Sequence, residues 1–232
     1  MSAEDLAASE PGSRRWKVSH AAAAFGAGIL ASLVATALVW PGGVTVLETF
    51  AVVGPAQTLV TIAVVAWLRR APGRPPLGVR PAGLDALGVL LGIGLAFGLS
   101  YLTWVVMRLL GSEVPEQSVV QVADRAVGLG TRAALVITAV LLAPLAEELV
   151  FRGILLRALE RRLSGNAAGL VSAAAFALVH LALDPMAWAA VPALFVVGWV
   201  LAIAMQRTGR VSFAVAGHLG FNLAGVVALL GF

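Results

Sequence analysis

The chain has 232 residues, 60% of them hydrophobic and 12% charged, with a mean hydropathy of +0.95 and a formal net charge of +4. A soluble domain carries about a quarter charged residues, so half that share with long apolar runs excludes an ordinary soluble fold and indicates a membrane protein. Cysteine is absent, which excludes a disulfide framework, a thiolate metal site and a thiol nucleophile, and the isoelectric point of about 10.9 does not indicate nucleic acid, because the basic residues sit in short loops between apolar runs.

Residues 1–18 read as a polar tail, acidic first and basic late, without a signal-peptide cleavage pattern. Seven segments then follow that can each span a bilayer at about 20 residues: 19–40, 49–68, 84–107, 133–151, 168–183, 189–206 and 211–230. Breaks fall at Pro41-Gly42-Gly43, Ala71 to Pro81, Gly111 to Thr131, Ser164-Gly165-Asn166, Asp184-Pro185 and Thr208-Gly209. The segment Ser118 to Leu129 reads as a short interfacial helix. The expected architecture is all-α, polytopic and built on about seven transmembrane helices. It divides into the tail (1–18), three spans with an outer loop (19–131) and a helical catalytic unit (132–230).

Counting arginine and lysine by loop sets orientation. With the N-terminus inside, 13 basic residues fall on the cytoplasmic side, Arg152 among them, and Arg108, Arg125 and Arg132 on the other. This predicts an N-in, C-out topology in the plasma membrane. Tryptophans such as Trp16, Trp40, Trp67 and Trp188 stand near span ends and fit an interfacial belt. Glycines in GVLLGIGLAFG, within the third span, read as close helix packing.

Ionisable side chains inside spans are costly and mark function by default. Here they concentrate in the second half: Glu147 and Glu148 in APLAEELVFRG, His180 in FALVH, and His218 with Asn222 in HLGFN. Folding spans four and five about Gly165 sets residue 150 opposite 180, so Glu147 and His180 lie within about one helical turn in depth. Depth counted from the arginine-rich turns predicts a site in the cytoplasmic half, with its cavity opening to that side. His218 and Asn222, four apart, share a helix face, as do Phe176 and His180. Glu148 and Arg152 have the spacing and order of a helical ion pair. Glu147, rotated about 100° away, is left as the candidate general base. A carboxyl withdrawn from water and from cations is a stronger base than one at a surface. His180 can help it hold a water, and His218 and Asn222 can donate to a developing oxyanion.

The same residues carry a resemblance. EELVFR, FALVH and HLGFN resemble, in order, the EExxxR, FxxxH and HxxxN motifs of the CPBP (CAAX protease and bacteriocin-processing, or Abi) family, which includes the eukaryotic Ras-converting enzyme. The similarity covers roughly 132–229, and the first 130 residues carry no such motif. It implies an intramembrane endopeptidase in which Glu147 and His180 activate water while His218 and Asn222 stabilise the oxyanion, with Glu148, Arg152 and Phe176 in support. The implied partners are a peptide or membrane-protein substrate and the bilayer, with no nucleic acid. Cofactor need stays open. Glu147, His180 and His218 could ligate zinc with a water in the fourth position, or the glutamate and histidine could polarise water unaided; HExxH is absent. The arginine- and alanine-rich, nearly lysine-free composition resembles that of high-GC bacteria.

Other classes fit less well. A proton-coupled transporter could use buried Glu and His as a relay, but no internal repeat is visible. A non-catalytic scaffold would tolerate loss of Glu147. A serine protease would need Ser172 or Ser212, neither in a GxSG setting, and an aspartyl type would need two intramembrane aspartates, whereas Asp124 and Asp184 fall in loops.

Overall fold

The computed structural model describes residues 15–40, 43–113 and 128–230. Among them the chain is helical, without strands, and holds seven helices long and apolar enough to cross a bilayer. They are α1 (Val18–Val39), α2 (Val46–Arg69), α3 (Asp85–Leu109), α4 (Leu129–Leu159), α5 (Gly165–Leu183), α6 (Val191–Thr208, entered through a 3₁₀ turn at Pro185–Ala190) and α7 (Val211–Leu230). Most of residues 1–18, and residues 118–127 of the expected interfacial helix with Asp124 and Arg125, lie outside the described residues.

Local chemistry sets the helix starts. Thr45 and Glu48 form a reciprocal capping box at the head of α2: the threonine oxygen accepts from the Glu48 amide at 3.2 Å and the carboxylate accepts from the Thr45 amide at 2.8 Å. Ser164 caps α5, and Asp184 accepts from the Met186 amide at 3.0 Å to start the turn into α6. Gly209 ends α6 in the left-handed conformation, its amide bonded to the Met205 carbonyl. Two helices widen into π turns just before a proline, at Thr49–Val53 ahead of Pro55 and at Ile137–Leu142 ahead of Pro144. A proline ring has no N–H and crowds the carbonyl one turn back, and a wider turn makes room for it. The two widened turns touch, Thr138 donating to the Phe50 carbonyl at 2.6 Å.

The helix α4 runs eight residues past the end expected from the sequence, as one rod of 31 residues. Arg152, expected from the sequence to lie in the cytoplasmic loop, has a fully buried, ion-paired side chain, so its charge does not end the helix. Around it a dense core forms from Leu149, Phe151, Ile154, Phe176, Leu201 and Val211. Leucines and aromatics on the outer faces of α1 and α3, such as Leu33, Leu90 and Phe97, remain exposed to the space that hydrocarbon would fill. Trp16 departs from the belt reading. It is buried against the Arg74 guanidinium 4.8 Å away and donates to the Pro75 carbonyl.

The glycines of α3 lie against the last helix. A Cβ on Gly88 would stand 2.8 Å from the Phe213 carbonyl oxygen, so α3 and α7 meet backbone to backbone. The connection 71–81 crosses the arginine-rich end as a strap. Leu77 is inserted into the core, and the carbonyls of Leu77 and Gly78 accept from the amides of Val211 and Ser212, the first residues of α7. Arg157 donates to the carbonyls of Pro76 and Leu77, and Arg210 donates to that of Arg80.

Candidate active site

The helices α4, α5 and α7 bring the sequence candidates together. Oε2 of Glu147 lies 3.9 Å from Nε2 of His180 and 3.8 Å from Nε2 of His218. Both separations are too long for a direct hydrogen bond and suit groups that share one water. Exposure grades across the group: the His180 side chain is 32% exposed, Glu147 23%, His218 4% and Glu148 0%.

The other ring nitrogens fix how each imidazole is oriented. His180 Nδ1 stands 2.9 Å from the Phe176 carbonyl, which can only accept, so this nitrogen carries the proton. His218 Nδ1 stands 2.9 Å from Oε1 of Glu148, with the same consequence. In the neutral rings both Nε2 lone pairs therefore point toward Glu147. Phe176 walls this corner, its ring centroid 4.5 Å from that of His180 and 5.6 Å from that of His218.

Behind the site, Arg152 Nη1 donates to the same Oε1 of Glu148 at 2.9 Å, and Nη2 donates to the Gly198 carbonyl at 3.0 Å. The guanidinium sits over the Phe176 ring, 4.7 Å from its centroid. Residues 149–156 form a π-helical stretch, and Glu148 and Arg152, four apart at its start, remain on one side of the helix. Their ion pair follows from the sequence spacing. The bond from Glu148 to His218 does not, since no local pattern links residues 70 positions apart.

Asn222 lies one turn beyond His218 and donates to the Ala139 carbonyl at 2.8 Å. A carboxamide has two N–H bonds, so one remains for another acceptor. Asp184 follows α5 in the loop expected from the sequence. It lies on the wall of the same cavity, where it caps the turn into α6. An acid directly before a proline at a helix start was the available signal.

These side chains line a cavity of about 560 Å³, bounded also by Leu99, Leu135, Leu183, Leu194 and Phe221. Glu147 and His218, near the middle of α4 and α7, stand at its base, and its walls come from the C-terminal half of α3, the N-terminal half of α4, the end of α5, the 184–190 turn, the start of α6 and the C-terminal half of α7. That is the end of the bundle opposite Arg69, Arg70, Arg161 and Arg162. The expected opening on the arginine-rich side is thus corrected: there the strap and the core around Leu77, Phe151 and Leu156 separate Glu147 from that end of the bundle. An N-in topology and a cytoplasm-facing cavity exclude one another in this fold.

Glu147, His180 and His218 are the donors a zinc ion here would need. Two imidazole nitrogens and a carboxylate are suitable in kind, with each Nδ1 anchored as in zinc sites. Ligands at about 2.0–2.1 Å from a tetrahedral zinc stand about 3.4 Å apart; the 3.8 and 3.9 Å found here are wider. Among the described residues no group of three His, Cys, Asp or Glu is spaced to hold a metal ion. As placed, the three residues do not fit one.

A family model described as Rce1-like, type II CAAX prenyl endopeptidase Rce1-like, matches residues 129–224, from the start of α4 into α7. No curated protein and no solved structure matches the chain.

Proposed function

Because residues 129–224 belong to the Rce1-like family of type II CAAX prenyl endopeptidases, we propose that the chain hydrolyses peptide bonds within the membrane, using water activated by Glu147 and His180. The observation that carries this reading is the convergence of the Glu147 carboxylate and two oriented Nε2 atoms at the inner end of one apolar-walled cavity.

A water held between Glu147 Oε2 and His180 Nε2 attacks the carbonyl carbon. As its oxygen bonds to carbon, its proton passes to Glu147. Collapse of the tetrahedral intermediate breaks the C–N bond, and Glu147 returns the proton to the departing amine. No covalent enzyme intermediate is needed. Asn222 offers its second N–H to the oxyanion. His218 can donate from Nε2 only as an imidazolium, for which Glu148, held by Arg152, supplies the countercharge. Glu147 therefore handles the proton, while Glu148 serves the orientation and charge of His218.

The leucine and phenylalanine walls favour a substrate apolar around the scissile bond, such as a hydrophobic or lipid-modified peptide end. The test is cleavage of a peptide library, prenylated and unmodified, by the purified full-length protein, with Glu147→Ala and His180→Ala in parallel. Wild-type cleavage lost in both variants is the expected result. Retained cleavage in Glu147→Ala would overturn the assignment of the base, and proton movement across vesicles without any cleavage would replace the enzyme by a transporter.

A further inference from the structure

A second cavity, of about 480 Å³, lies at the arginine-rich end between α2, α4 and the strap. Its lining is Ile62, Val65, Leu77, Val79, Leu145 and Leu149, with Ala66 at the open side and Arg69 and Arg70 at the mouth. From Arg70 down to Ile62 the slot follows α2 for about 12 Å, at 1.5 Å per residue. The neighbouring Trp67 is exposed, so this flank of α2 faces the bilayer. The site shares no lining residue with the cavity around Glu147, from which α4 separates it.

The arginines at its mouth differ from others at the same end. Arg74 donates to the Leu68 carbonyl, Arg157 to the strap, and Arg210 pairs with Asp85. Neither Arg69 nor Arg70 has a side-chain hydrogen bond or ion pair among the described residues, and both are exposed. Two unpaired guanidiniums above an apolar slot open to lipid complement one kind of molecule, an anionic headgroup carrying a hydrocarbon chain.

We propose that this slot binds an anionic phospholipid of the surrounding bilayer, one acyl chain lying against Leu145 and Leu149 and the phosphate held by Arg69 and Arg70. Leu145 and Leu149 bracket Glu147 and Glu148 along α4, so the chain braces the far face of the helix that carries the active-site acids. The proposal is independent of the proteolytic reading and needs no assay of cleavage.

The experiment uses full-length protein equilibrated in nanodiscs of equal phosphatidylglycerol and phosphatidylcholine, then released into mild detergent for native mass spectrometry of retained lipid. Wild type should retain phosphatidylglycerol in preference to phosphatidylcholine. R69Q/R70Q should lose that preference by about tenfold. R161Q/R162Q, the same charge change at exposed positions of the same end, should keep it. Ala66→Trp, which fills the slot, should reduce retention of both lipids, and Ala66→Phe replaces it if the tryptophan variant unfolds. Equal losses in the two arginine pairs would reduce the effect to surface charge and overturn the site. Undiminished retention in the filled variant, or displacement of the lipid by free glycerol phosphate, would overturn it as well.

Discussion

Glu148 and His218 meet in the protein interior, Oε1 of the glutamate 2.9 Å from Nδ1 of the histidine. Arg152 donates to the same oxygen at 2.9 Å. The opposite nitrogen of the His218 ring faces Glu147 at 3.8 Å. Two adjacent glutamates thus act on the two nitrogens of one ring, one fully buried and one at the cavity.

That division separates the effects of two otherwise similar substitutions. Glu147→Gln keeps size and polarity but cannot accept a proton, so cleavage should fall about a thousandfold, within the range for loss of a general base, with the unfolding temperature unchanged. Glu148→Gln should lower both. Initial rates and thermal unfolding in detergent check the contrast; a Glu147→Gln protein that still turns over at the wild-type rate would refute it.

Arg152→Met leaves the Glu148 carboxylate buried beside His218 alone. Removing one member of a buried pair costs about 3–5 kcal/mol. Glu148→Gln/Arg152→Met removes both charges and should recover much of that loss. Denaturant unfolding of the two single variants and the double variant gives the coupling energy, and strict additivity would show that the pair is not a unit.

Gly198 is where α6 makes room for the guanidinium. A Cβ there would stand 3.1 Å from Arg152 Nη2 and 3.2 Å from Ala173 Cα. Gly198→Ala should therefore destabilise by about 1–3 kcal/mol, as overpacking does, and reduce cleavage through Arg152, Glu148 and His218. Gly169→Ala is the control, since its Cβ would meet Ala202 at an ordinary 3.6 Å. Equal behaviour of the two variants would dissociate Gly198 from the site.

The absence of native cysteine makes sidedness easy to read. Single cysteines at Trp188, beside the cavity rim, and at Arg162 should be labelled by an impermeant maleimide from opposite faces of sealed vesicles. The face that labels Trp188→Cys is the face from which substrate enters. Labelling of both from one face would contradict the placement of the cavity.

The spacing of Glu147, His180 and His218 also bears on metal dependence. Cleavage should survive exhaustive chelation, and elemental analysis of active protein should find less than one metal per chain. Loss of activity on chelation with recovery on adding zinc would require the three side chains to close by about half an ångström.

Much of this was readable in the chain because membrane spans carry few charges. Seven apolar runs mark the helices, and the ion pair of Glu148 with Arg152 follows from four-residue spacing. What escaped the sequence was long-range or depended on burial. The contact of Glu148 with His218 is set by how α4 and α7 dock. Arg152 looked like a loop charge because a lone arginine is tolerated inside a span only with partners supplied from elsewhere, here by Gly198 and Phe176. The end at which the cavity lies was misjudged for a related reason. Depth was counted from a turn taken to project into solvent, whereas residues 149–158 of α4 are largely core.

The strap at 71–81 also matters to anyone handling the protein. It has the composition of a dispensable linker, rich in proline, glycine and arginine, and by that criterion would be chosen for an epitope tag or a protease site. Yet its carbonyls receive the first amides of α7, two turns before His218. An insertion there would shift the histidine along its own helix axis, so the segment that looks most permissive to engineering is a poor place to cut or lengthen the chain. The exposed turn around Arg161 and Arg162 is the better site for a tag.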